Sequence, residues 1–130
     1  MKTKNTFLII SGLINLFTFL LHVIGGQISL INPLLDSNLE LQIKTELLGV
    51  WHMATIILFV TSIILLYLGF KQNKKLNIQL LSFIGYLYIL FSIPFIIISI
   101  IYGLLVPQWI LLLPIGVLTI FGIKKIKKDA

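Results

Sequence analysis

The chain has 130 residues, 58% of them hydrophobic and 11% charged, with a formal net charge of +6 and no cysteine. A mean hydropathy of +1.10 is far from that of a soluble globular chain, so the composition is that of an integral membrane protein. Without cysteine there are no disulfides, haem thioethers, iron–sulfur ligands or lipoprotein anchor.

A bilayer core about 30 Å thick needs roughly 20 mostly apolar residues per helical span. Residues 7–26, 48–70, 78–102 and 106–123 qualify. Their nearly continuous apolar character argues against a transmembrane barrel, whose strands alternate with period two. The expected fold is therefore all-α: one membrane domain over residues 1–130, an antiparallel four-helix bundle.

In the first span Ser11, Asn15, Thr18, His22 and Gly25 recur at helical spacing and form one seam. Small and polar residues concentrate where membrane helices touch, so this seam is expected to face the interior while Leu13, Leu16 and Leu20 meet lipid. The run is too long for a signal-peptide core, contains Asn15 and His22, and offers only Val23-Ile24-Gly25 as a poor cleavage site. It is expected to remain as a span.

The connection from Gln27 to Leu47 carries its own signals. Asn32-Pro33 marks a turn, Leu34-Leu35 dips back toward lipid or covers the bundle, and Ser37 followed by Glu40 matches a capping box. A helix should begin near Asn38, with Leu39, Ile43, Leu47 and Val50 at helical spacing, and run into the second span unless Gly49 breaks it. The segment reads either as a small lid or as an interfacial loop.

In the second span His52, Thr55, Ser62 and Gly69 make the corresponding stripe; in the third, Gly85, Tyr88, Ser92, Ser99 and Tyr102; in the fourth, Gly116 and Thr119. Pro94 and Pro114 lie inside the last two spans, where each removes a backbone hydrogen bond and should kink its helix. Trp51, Tyr102, Gln108 and Trp109 are expected at one level, the aromatics as an interfacial belt.

Lys2 and Lys4 precede the first span, Lys71, Lys74 and Lys75 join the second to the third, and Lys124, Lys125, Lys127 and Lys128 follow the fourth. Nine of the ten lysines thus fall on one side, which the positive-inside rule makes cytoplasmic, together with both termini. The lysines flank spans and do not alternate with exposed aromatics, so the partner they suit is the lipid bilayer and not nucleic acid.

His22 and His52 lie about one turn from the outer ends of adjacent spans, at matching depth. Ionisable groups inside spans are costly and become functional candidates. A structural hydrogen-bonding role is the plain alternative. As metal ligands the pair needs further donors, and Glu46 lies on another helical face unless the helix bends at Gly49. As axial ligands of a b-type haem, histidines beside Gly25, Gly26 and Gly49 suit a flat macrocycle, with only Lys44 near to pair with propionates. As acid–base groups, neutral imidazoles near outer water relay protons or hold a polar headgroup.

No Asp or Glu lies within a span, which argues against a proton-coupled exporter of the small multidrug-resistance type, and no nucleophile or phosphate-binding motif is present. An enzyme is not the first reading. The first is a binding or accessory protein using His22, His52, Gly25, Gly26, Trp51 and Glu46. A haem- or metal-binding redox protein and a small transporter working as a homodimer are the alternatives.

The stretch from His22 to Thr55 carries His-x-x-Gly-Gly, then Pro-Leu-Leu, then Trp-His-x-x-Thr. In this it resembles an uncharacterised family of small four-span bacterial membrane proteins. The resemblance implies a bacterial cytoplasmic membrane location and groups His22, Gly25, Gly26, Trp51 and His52 as a set; it supplies no activity.

Overall fold

In the computed structural model the described residues are 4–71 and 78–128, and among them the chain is helical with no strand. Lys2, Lys74 and Lys75, on which part of the charge asymmetry rests, lie outside them. Four helices are long and apolar enough to cross a membrane: α1 (Thr6–Asp36), α2 (Leu41–Phe70), α3 (Ile78–Tyr102) and α4 (Gln108–Lys128). Helix satisfies every backbone polar group within one segment, which is why runs rich in β-branched residues adopt it in an apolar setting.

The helices form an antiparallel bundle in which α1 packs against both α2 and α4, and α4 against α3. Three polar contacts on α1 set this order. At one end Asn5 caps α1, accepting from the Leu8 amide (3.3 Å), while its own amide groups donate to the Gly69 carbonyl of α2 (3.0 Å) and the Gly122 carbonyl of α4 (2.9 Å). One turn and a half further, the Ser11 and Thr119 hydroxyls lie 2.8 Å apart, both in reach of the Ile115 carbonyl. At mid-depth Asn15 donates to Thr61 of α2 (2.9 Å) and accepts from the Tyr88 hydroxyl of α3 (2.8 Å), and Thr61 and Tyr88 close the ring at 2.6 Å.

Between α3 and α4 the approach is close enough that a Cβ on Gly116 would stand 2.7 Å from the Gly85 carbonyl oxygen. Apolar packing completes the core, with Leu8, Leu65, Leu81, Ile84 and Ile115 buried around Tyr88. The outside is apolar as well. Leu13 is 54% exposed and Ile100 75%, a surface suited to lipid and costly in water.

The expected seam is found in part. Ser11, Asn15 and Thr18 are buried, Leu13 and Leu20 are exposed, and Leu16 is half-buried. Beyond Leu20 the expectation fails by one residue: Gly26, not Gly25, is buried. The cause is a departure from α-helical winding, with π-helical stretches at Leu21–Gly25 and Gln27–Ile31, the second ending in a bond from the Asn32 amide to the Gln27 carbonyl. Each i→i+5 turn inserts one extra residue and rotates the rest of the helix about its axis. The next buried residue is accordingly Ile31, 3% exposed.

The first helix therefore continues well past Gly26, through Asn32 and Pro33, where a turn was expected; Pro33 sits in the first turn of an α-helical stretch that needs no amide there. The capping box is not formed. Ser37 closes α1, its amide and hydroxyl both donating to the Leu34 carbonyl (3.3 and 2.6 Å); the amide is thus taken from the Glu40 side chain, and the hydroxyl accepts from the Leu39 amide (3.5 Å) in place of Glu40. The second long helix starts at Leu41 and not near Asn38, with residues 37–40 as a tight connection in place of a lid. Gly49 does not break it.

On the second stripe Ser62 and Gly69 are buried, but His52 is exposed and Thr61, absent from the expected stripe, is buried. On α3 Gly85, Tyr88 and Ser92 are buried, Ser99 is half-buried and Tyr102 exposed. Gly103, at φ +61°, ends α3 in the left-handed conformation that glycine adopts without strain. The Ser99 hydroxyl then accepts from the Val106 amide (3.0 Å), turning the chain into α4.

Candidate functional site

The His22 ring stacks on the Trp51 indole, with centroids 3.7 Å apart and planes 13° from parallel. Its Nε2 lies 3.3 Å from the Trp51 carbonyl oxygen. A carbonyl only accepts, so this nitrogen carries the proton. The same carbonyl accepts from the Thr55 hydroxyl at 2.9 Å. The indole in turn lies over Gly26, where a Cβ would stand 2.1 Å from its ring. The extra residue wound into Leu21–Gly25 is what brings the bare backbone of Gly26 beneath that ring.

The arrangement is a latch between α1 and α2. Trp51, which is half-buried, packs against α1, where an imidazole and a glycine one turn apart make a flat bed for it. Tyr102 is exposed, and Gln108 and Trp109 are half-buried. The Gln108 Oε1 atom is buried without a hydrogen-bond partner among the described residues.

His52 is next to Trp51 in sequence and so turned about 100° from it around α2. It is exposed and makes no hydrogen bond among the described residues. Gly25 and Gly49 are exposed, with no atom within 4 Å of where a Cβ would be. Glu46 is exposed and accepts from Gln42 (3.0 Å). Lys44 reaches across to the Leu35 carbonyl (2.7 Å), tying the start of α2 to the end of α1.

These positions bear on metal chemistry. Because α2 is unbroken through Gly49, Glu46 and His52 remain on different faces about 9 Å apart along the axis. Among the described residues no three His, Asp or Glu side chains converge. A metal or haem iron at His22 Nε2 would have to displace the Trp51 carbonyl; of the glycines expected beside a macrocycle, Gly26 is covered by the indole while Gly25 and Gly49 are open.

Sequence reasoning missed two residues that matter here. Asn5, which joins three helices, precedes the span and shows only as a cap candidate. Thr61, beside Ser62, is hidden because either hydroxyl could lie on the contact face. Comparison with family models, curated proteins and solved structures finds no match for this chain.

Proposed function

We propose that the chain is a multi-pass protein of a bacterial cytoplasmic membrane, with both termini cytoplasmic, that acts as a binding or accessory protein and not as an enzyme. At its outer end His52 meets a small polar ligand or headgroup, beside a wall that His22, Trp51 and Gly26 make rigid. The lysine asymmetry supports the orientation. The observation carrying the binding reading is the contrast between the two histidines. His22 uses one ring face and Nε2 inside the protein, whereas His52 is exposed and has no hydrogen-bond partner among the described residues.

An imidazole so placed on an apolar helix is costly unless a polar group from outside the chain meets it. The test uses the fact that the chain has two histidines. With ¹⁵N-histidine labelling in maltoside micelles, which present no phosphate, phosphoethanolamine, phosphocholine and glycerol phosphate are titrated in turn. At least one should shift the His52 signal to saturation while His22 moves less. A His52 signal unmoved at millimolar concentrations of all three overturns the reading.

A further inference from the structure

α2 and α3 do not pack closely backbone to backbone, unlike the other neighbouring pairs, and a groove of about 380 Å³ opens between them. Ile56, Val60 and Thr61 of α2 and Phe83, Leu87 and Phe91 of α3 line it. Thr61 is the one lining residue with a polar side chain. Its hydroxyl is turned inward to the Ile57 carbonyl, Asn15 and Tyr88, which leaves the wall apolar.

Size decides between occupants. One turn of a helix about 10 Å wide and 5.4 Å long fills roughly 420 Å³, so a partner helix would rest on the rim without entering. The groove is nevertheless as large as many small-molecule sites, which run from about 300 to 1,000 Å³. A single hydrocarbon chain is the narrow apolar object that fits.

We propose that this groove seats one acyl chain of a phospholipid whose headgroup sits at His52. The proposal rests on the reading of His52 as a headgroup contact and extends it to the class of ligand. Because α2 is unbroken, distances along it follow from residue number: His52 lies about 6 Å from Ile56 and about 13.5 Å from Thr61 along the axis. Half of a 30 Å hydrocarbon core is about 15 Å. An outer-leaflet lipid anchored at His52 thus lays the length of its chain along the groove and ends at the membrane midplane.

The surface between headgroup and groove is continuous. Met53 and Gly49 lie three and seven residues before Ile56, on the same helical face. Both are exposed, and Met53, which lies between His52 and Ile56, marks the level of the glycerol backbone.

The test uses the intact protein in phosphatidylethanolamine vesicles containing a small fraction of the same lipid with a diazirine midway along one acyl chain. After photolysis, labelled residues are mapped by mass spectrometry. Insertion over residues 56–61 and 83–91 should exceed that at Leu13 and Phe17, which are exposed at similar depth on α1, at least fivefold. Equal insertion makes the groove part of the general lipid shell and overturns the proposal.

Val60→Phe, which fills the groove, should abolish the enrichment, while Ile63→Phe should preserve it. Enrichment that survives Val60→Phe unchanged counts against the groove. Should Val60→Phe fail to fold, the wild-type comparison decides alone. His52→Ala should lower enrichment at least threefold; unchanged enrichment removes His52 as the anchor. The headgroup titration and the photolabelling fail separately, so loss of the outer-site reading and loss of the groove are distinguishable.

Discussion

His22 and Trp51 hold each other twice, through rings stacked at 3.7 Å and through the bond from the imidazole Nε2 to the Trp51 carbonyl. One side chain thereby grips both the side chain and the backbone of the neighbouring helix. The grip lies beyond the segment where α1 and α2 pack most closely, so it governs the relative position of the two helices toward the connection that joins them.

The latch predicts a sharp difference between adjacent glycines. Gly26→Ala places a methyl 2.1 Å from the indole and should destabilise by about 1–3 kcal/mol, the usual range for overpacking. Gly25→Ala meets open space and should leave thermal stability in detergent unchanged or slightly raised. Equal midpoints for the two variants would show that Trp51 does not cover Gly26.

Coupling at this end should be strongest between His22 and Trp51. A double-mutant cycle of His22→Ala and Trp51→Ala, read by thermal unfolding, should give roughly 0.5–1.5 kcal/mol, as for stacked aromatic pairs. The corresponding cycle of His22 with His52 should give a smaller value, because His52 is exposed and shares no hydrogen bond with it. A larger coupling between the histidines would mean that they meet directly or share a ligand.

The Asn15, Thr61 and Tyr88 ring should behave as one unit. Tyr88→Phe removes two hydrogen bonds, those to Asn15 and Thr61, each worth about 0.6 kcal/mol between membrane helices. Asn15→Leu severs both contacts, leaves the Tyr88 hydroxyl with Thr61 alone and inserts a branched side chain into a fully buried position. It should cost about 1–3 kcal/mol, more than Leu16→Ala at a half-buried position. Calorimetry of the three variants in one detergent settles the order; equal or reversed losses would remove α1 from the centre of the bundle.

Orientation can be measured because the chain has no cysteine of its own. A cysteine at Ser37, in the connection between α1 and α2, should react with a membrane-impermeant maleimide added to intact cells. One at Lys124 should react only after permeabilisation. The opposite pattern inverts the topology and moves the His22 and His52 end to the cytoplasmic side.

The sequence by itself determined the four helices and the inward face of the first half of α1, because hydropathy and the spacing of Ser11, Asn15 and Thr18 are local properties of one helix. It also put forward His22, Gly25, Gly26, Trp51, His52 and Glu46 as candidates, because ionisable and small residues stand out at the end of an apolar run and because the resemblance groups all but Glu46 as a set. Tertiary structure decided which of them act together. Whether Gly25 or Gly26 faces α2 depends on an extra residue wound into α1, for which an isolated helix carries no periodic signal. Whether Ser37 starts a helix or ends one depends on how far α1 continues before it. Whether Thr61 or only Ser62 enters the core depends on the rotation of α2 against Asn15 and Tyr88. Each of these outcomes is set by contacts between residues far apart in the chain, and so appears only when the helices are brought together.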